Sequence, residues 1–65
     1  MQYTTIKTQP VKEGAIILVD TGPNQYERYV TGWLGEEAQS WCWGHYFKSL
    51  ADADADYQSR VARGY

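Results

Sequence analysis

The sequence predicts an α+β fold: a small antiparallel β-meander of about four strands with one C-terminal α-helix packed on it. Segments rich in β-branched and aromatic residues alternate with turn formers over residues 1–47. Residues 48–65 show helical periodicity behind a serine that can cap a helix. Since 65 residues make one small domain, we expect a single unit, 1–65, built from the meander (1–47) and the helical segment (48–65).

The first two strands are expected on either side of a turn at residues 11–14. Gln2 to Thr8 is rich in threonine, which is typical of a half-exposed edge strand, and Pro10 is expected to close it. Ala15 to Val19 is a compact run of the kind found in a central strand buried on both faces. We therefore expect this second strand to be the best-buried strand of the sheet.

The third and fourth strands follow a turn at Asp20 to Asn24. The third is predicted over Tyr26 to Leu34, where Gly32 indicates a bulge or close packing by a neighbouring ring. The fourth is predicted over Trp41 to Phe47. Alternation along that strand places Trp41, Trp43, His45 and Phe47 on one face, and Cys42 and Tyr46 on the other.

The C-terminal helix is predicted from Leu50 to Ala62. Ser49 is the expected N-cap, with Asp52 three residues later completing a box-like start. The apolar stripe that would pack on the sheet consists of Leu50, Ala53, Tyr57 and Val61. The side expected to face away from the sheet carries Asp52, Asp56, Ser59 and Arg63.

Aromatic side chains are expected to build the core of so small a domain. The chain has three Trp, six Tyr and one Phe, and each ring can bury roughly 150 to 250 Å². Cys42 is the only cysteine, so an intrachain disulfide is excluded. A lone thiol, with no secretory leader and no apolar run of membrane length, predicts a soluble cytoplasmic protein with no membrane partner.

An acidic segment is the first candidate for function. The net charge is −2, but residues 36–56 are strongly acidic. The acids there are Glu36, Glu37, Asp52, Asp54 and Asp56, against Lys48 alone. One interpretation is a charge array that binds a basic, nucleic-acid-binding surface of a partner protein. The other is structural: acids early and arginines late in a helix complement its dipole, and Asp56 with Arg60 forms an ordinary i, i+4 pair.

The tryptophans support an alternative function. If exposed, Trp33, Trp41 and Trp43 could stack on a small ligand or a single-stranded nucleic acid. The acidic neighbours oppose a phosphate backbone, so no direct nucleic-acid partner is expected in the main hypothesis, and the core interpretation of the rings is favoured. A homodimer with the aromatic face as its interface is a further alternative to a monomer.

Metal, cofactor and catalytic sites are not expected. Cys42 and His45 are three residues apart, so in a regular strand they point to opposite faces and cannot share an ion. The chain has no second pair of cysteine or histidine ligands, so a structural zinc site would need the aspartates, which are poor ligands for one. Asp52 and Asp56 on an exposed helix face lack the buried pocket that would separate two pKa values for catalysis. We therefore predict a protein that is not an enzyme.

Several features of the chain can be compared with known families: its whole-chain architecture, the Asp-rich helix, and the segments Arg28-Tyr-Val-Thr-Gly-Trp33 and Gly44-His-Tyr-Phe47. In these features the chain resembles, in type, the anti-CRISPR proteins of phages and mobile elements. The resemblance implies a non-enzymatic inhibitor in the cytoplasm of a bacterial host. Such an inhibitor docks on a CRISPR effector complex and blocks DNA binding, in some members by imitating the charge of DNA. Together with the acidic segment, this makes an acidic helix and loop the expected binding surface.

Overall fold

Four antiparallel strands form one sheet in chain order, and a C-terminal helix packs on it, in the computed structural model, which describes residues 3–64. The elements are β1 (Thr4–Val11), β2 (Gly14–Asp20), β3 (Tyr29–Gly35), β4 (Cys42–Phe47) and α1 (Leu50–Arg63). The predicted α+β meander with one C-terminal helix is confirmed. Gln2, predicted in the first strand, and Tyr65, at the end of the predicted helical segment, lie outside the described residues.

Strand β1 continues through Pro10 to Val11, so the prediction that Pro10 closes the strand is wrong. Val11 pairs with Gly14 across a two-residue turn, in which Glu13 adopts a left-handed φ of 65°. Pro10 pairs with Ala15, next to the Val11–Gly14 pair, and β1 is an edge strand. At this non-hydrogen-bonded pair, the backbone N–H of the edge strand would point to solvent. The N–H that proline lacks therefore costs the ladder no hydrogen bond.

Strand β2 is the best-buried strand, as predicted, and residues 16–19 are at most 3% exposed. Its alternate side chains enter two clusters. The cluster on the helix side consists of Ile16, Leu18, Ala53 and Tyr57. The cluster on the opposite side consists of Ile17, Val19 and Val30. Aliphatic side chains of β2 therefore form the centre of the core, and Tyr57 is the one ring buried there among residues 3–64. The other rings expected in the core are partly buried around it (Tyr29, Trp33, Trp41 and Phe47) or exposed (Tyr3, Tyr26, Trp43 and Tyr46).

A β-bulge interrupts the pairing of β3 with β4. Two residues of β4, Trp43 and Gly44, lie opposite Gly32 of β3, and Trp43 has a left-handed φ of 55°. The side chain of Trp41 packs directly on Gly32, where an added Cβ would come within 3.0 Å of the Trp41 Cβ. The two features predicted for Gly32, a bulge and close packing by a ring, are thus both present.

The region before and within the bulge does not follow simple strand alternation. Trp41 precedes β4 and packs against the cluster on the face opposite α1, whereas Phe47 packs on the α1 side. The prediction of one face shared by Trp41 and Phe47 is therefore wrong. Cys42 pairs with Trp33, and His45 pairs with Thr31. Thr31 and Trp33 are two residues apart in β3 and lie on the same face of the sheet, so their partners Cys42 and His45 also share that face. The predicted placement of Cys42 and His45 on opposite faces is also wrong.

Helix α1 begins as predicted. Ser49 Oγ accepts a hydrogen bond from the Asp52 N–H at 3.2 Å, which satisfies one of the unpaired donors of the first turn. The helix ends at Gly64, whose left-handed φ of 87° lets its N–H donate to the Arg60 carbonyl at 2.7 Å. Of the predicted stripe, Ala53 and Tyr57 are buried, Val61 is partly buried and Leu50 is exposed.

Candidate ligand-binding cleft

Side chains from β3, β4 and α1 converge on one carboxylate oxygen, Oδ2 of Asp56. The Thr31 hydroxyl donates to it at 2.6 Å, and Nε of Arg60 donates to it at 3.2 Å. Nδ1 of His45 lies 2.9 Å from the same oxygen. Because an ionised carboxylate only accepts hydrogen bonds, Nδ1 carries the proton and Nε2 is left for other partners. Asp56 thus faces the sheet, and its predicted place on the opposite side of the helix is wrong.

Arg60 is almost fully buried, with 2% of its surface exposed. Its Nε bonds Asp56, and its Nη2 donates to the carbonyl oxygen of Trp43 in the bulge. A buried guanidinium is tolerated only when it is paired and hydrogen-bonded, because an unpaired buried charge costs several kcal/mol. The predicted i, i+4 pair of Asp56 and Arg60 therefore exists, but it lies inside the protein and ties α1 to the bulge of β4.

The network lowers the pKa of Asp56 below its ordinary value. Partial burial acts in the opposite direction and raises this pKa, since it disfavours the charged form. The hydrogen bonds from Thr31 and His45, together with the charges of His45 and Arg60, outweigh that effect. The carboxylate is therefore ionised at neutral pH and fixes both the imidazole and the guanidinium.

Trp43 is an exposed ring beside this network. It is 64% exposed, although it is one of the largest apolar side chains in the chain. Its ring centroid lies 5.4 Å from that of Trp33, with the planes tilted by 37°. Trp33 in turn packs against the helix-side cluster. The indole of Trp43 thus leans on a ring anchored in the core, while most of its surface remains open to solvent.

A cleft lies between the bulge of β4 and the last turns of α1. It has a volume of about 420 Å³ and is lined by Trp43, His45, Arg60 and Arg63. Small-ligand pockets usually measure about 300 to 1,000 Å³. Arg63 is exposed there and its Nη1 donates to Ser59 Oγ at 2.7 Å. Asp56 balances the charge of Arg60, and the guanidinium of Arg63 contributes N–H donors to the lining of the cleft.

The three helix aspartates predicted as binding residues have different surroundings. Asp52 is exposed in the first turn of α1. Asp54 forms an ion pair with Lys7 of β1 at 2.6 Å. Asp56 belongs to the network described above. Among these three, Asp52 alone combines exposure with a carboxylate for which the described contacts show no cationic partner.

Glu36 and Glu37, the predicted loop members of the acidic array, are exposed in the turn after β3. They follow Gly35 at one end of that strand. Phe47, shortly before α1, pairs with Tyr29 at the other end. A strand of this length spans about 20 Å. The structure thus separates the two glutamates from the first turn of the helix and does not bring the five predicted acids into one patch.

Sequence reasoning missed the polar network and the cleft. A signal was available for Arg60, which stands seven residues after Ala53 and therefore only about 20° from it around a helix. For Trp43 the signal was weaker, because the extra residue of a bulge is not visible in an alternating pattern. The three tryptophans proposed for ligand stacking differ in the structure: Trp43 is exposed, whereas Trp33 and Trp41 are half-buried.

The described part of the chain shows two further features that bear on function. Between residues 3 and 64, no group of three or more His, Cys, Asp or Glu side chains is placed to hold a metal ion. Within the same range, no helix has the length and apolar character needed to cross a lipid bilayer.

Known proteins provide no further guide to this site. No family model, no curated protein and no solved structure matches the chain.

Proposed function

We propose that the protein is a non-enzymatic binding module that takes a small planar ligand in the cleft formed by Trp43, His45, Arg60 and Arg63. The observation that carries the proposal is the exposed indole of Trp43, set in a cleft of ligand size. A flat ring that stacks on an exposed indole removes apolar surface of both partners from water. Base-on-aromatic stacking is worth about 1 to 3 kcal/mol per base in other proteins.

The backbone at Trp43 supports a binding role. A left-handed φ is uncommon for a bulky side chain and costs on the order of 1 kcal/mol or more. Such strain persists where the surrounding structure enforces it, and it concentrates at ligand sites. Here the bond from Arg60 to the Trp43 carbonyl holds the bulge in place. The protein thus maintains a strained turn that displays an indole instead of burying it.

The indole N–H signal of Trp43 in a proton–nitrogen NMR spectrum tests the proposal. The chain has three tryptophans, so the signal is assigned by its absence from a Trp43→Phe variant. Titration with planar compounds, including nucleosides and aromatic acids, should shift this signal before those of Trp33 and Trp41. A matched control is Tyr26→Leu, which removes a ring that is 77% exposed but does not line the cleft. If no planar compound shifts the Trp43 signal, the proposal fails.

The acidic inhibitor of a CRISPR effector complex is a second candidate. It is favoured by the exposed pair Glu36 and Glu37 and by Glu13 beside them, whose carbonyl accepts the Glu36 N–H at 3.2 Å. Three acidic residues at one end of the sheet could face a basic groove on a partner. The ion pairs of Asp54 and Asp56 count against a binding surface centred on the helix.

A charge-removal series separates the second candidate from the first. The double substitution E36Q/E37Q should weaken salt-sensitive binding to purified effector complexes, because it removes two exposed charges without touching the cleft. Asp52→Asn, at the other end of the sheet, serves as the matched single-charge control. Unchanged capture at low salt by the double variant would reject this candidate.

A further inference from the structure

We infer that the ligand of the cleft is a nucleoside monophosphate, with its base on Trp43 and its phosphate held by His45 and Arg63, an inference that rests on the proposed function. The juxtaposition that supports it is an exposed indole beside the Arg63 guanidinium, which can donate N–H hydrogen bonds to an anion, and the Nε2 of His45, which can share a proton with one. A ligand that uses all three must carry a planar ring and an anionic group a short distance apart.

The tautomer of His45 is set by Asp56. Nδ1 lies 2.9 Å from the carboxylate and holds the proton, so Nε2 is the nitrogen available to a ligand, and the His45 side chain is 50% exposed. A phosphate monoester suits this nitrogen because its second pKa is about 6. Either an imidazolium donates to the dianion or the P–OH of the monoanion donates to a neutral Nε2. In both cases a single proton, shared between the phosphate and Nε2, is enough to form the hydrogen bond.

The groups around His45 include a guanidinium that suits an anion of this size. Asp56 and Arg60 of α1 balance each other, Thr31 of β3 is not ionised near neutral pH, and Arg63 of α1 lines the cleft beside His45. Guanidinium groups bind phosphate through parallel hydrogen bonds with strong geometric preference. The Nη1 bond of Arg63 to Ser59 places that guanidinium on the helix face beside the cleft.

The same features favour a single nucleotide over a nucleic-acid strand. Strand binders use several stacking rings along a groove lined by lysine and arginine. This cleft contains one tryptophan, and the chain as a whole carries a net charge of −2, which opposes a long phosphate backbone.

Calorimetry or NMR titration of the full chain with adenosine, adenosine monophosphate, inorganic phosphate and a short oligonucleotide tests the inference. The monophosphate should bind about tenfold more tightly than adenosine, since charged hydrogen bonds add at least that much. Equal affinities for adenosine and its monophosphate would overturn the inference but leave the proposed function standing. Tighter binding of the oligonucleotide per nucleotide would also overturn it.

Three variants make the result specific. Arg63→Gln should lose the phosphate increment and keep adenosine binding. His45→Asn places an amide nitrogen near the position of Nδ1, so it can keep the bond to Asp56 while removing Nε2, and it should lose part of the phosphate increment. Trp43→Phe keeps a smaller ring and should weaken both ligands together. A full phosphate increment in both Arg63→Gln and His45→Asn would refute the assigned roles.

Discussion

The substitution Asp56→Asn tests whether the buried network stabilises the fold. It keeps the shape of the side chain but removes the charge that balances Arg60, and it places an amide donor among the donors of Thr31, His45 and Arg60. Breaking a buried ion pair from one side typically costs about 3 to 5 kcal/mol. The Asp56 side chain is 22% exposed, so water can solvate part of the site. We therefore expect a loss of about 2 to 3 kcal/mol in the free energy of unfolding.

Such a loss is large for this chain. A domain of this length is stable by about 3 to 10 kcal/mol. With a urea m-value near 1 kcal/mol/M for so small a protein, the unfolding midpoint should fall by about 2 to 3 M. Urea titrations followed by far-ultraviolet circular dichroism measure this shift.

Asp52→Asn is the matched control, because the same chemical change is made one helical turn earlier at an exposed site. It should cost no more than about 0.5 kcal/mol through the helix dipole and the local charge. Adding Arg60→Met to Asp56→Asn removes the unpaired charge while keeping much of the apolar length, so the double variant should recover part of the loss. If Asp56→Asn and Asp52→Asn unfold at the same urea concentration, the network does not stabilise the fold.

Three more expectations concern backbone, packing and pH. Glu13→Gly should raise the melting temperature by about 4 to 8 °C, because the left-handed φ of Glu13 costs about 1 kcal/mol that glycine does not pay. An unchanged melting temperature would show that Glu13 is unstrained. Gly32→Ala should destabilise by about 1 to 3 kcal/mol and alter the near-ultraviolet dichroism of Trp41, because the added methyl meets that side chain at 3.0 Å. The lowered pKa of Asp56 means that its stabilisation is complete above the unfolded-state value of about 4 and is lost as the pH falls through the folded-state value. The stability difference between wild type and Asp56→Asn should therefore shrink toward pH 2, and a constant difference would contradict this linkage.

The parts of the fold that were predictable from sequence are those in which local chemistry and burial agree. The aliphatic side chains of β2 point to both faces of the sheet, so they are removed from water only if both faces are covered. Ser49 can act as an N-cap only for a helix that starts at the next residue. Gly32 predicted the bulge, but not which residue of β4 it would turn outward. The extra residue of the bulge changes the alternation at Trp43 without a proline, charge or turn motif to mark it.

The candidate site was less predictable than the fold, because its polar residues have partners far away in sequence. Asp56 and Arg60 form the same i, i+4 pair on a solvated helix and in a buried network. What distinguishes the two cases is the contact with Thr31 and with the Trp43 carbonyl, on two different strands. Periodicity within the helix contains no information about those strands.

The buried network also explains why an indole can remain outside the core. In a chain without disulfides, one route to stability is to bury every large ring. Here the centre of the core is aliphatic, and α1 is fastened to β3 and β4 by Asp56 and Arg60 as well as by apolar contacts. Because Arg60 holds the bulge through the Trp43 carbonyl, the interaction that attaches the helix also displays the ring. Loss of the network should therefore impair ligand binding at Trp43 and stability together, whereas loss of the exposed Trp43 side chain should impair binding with a smaller effect on stability.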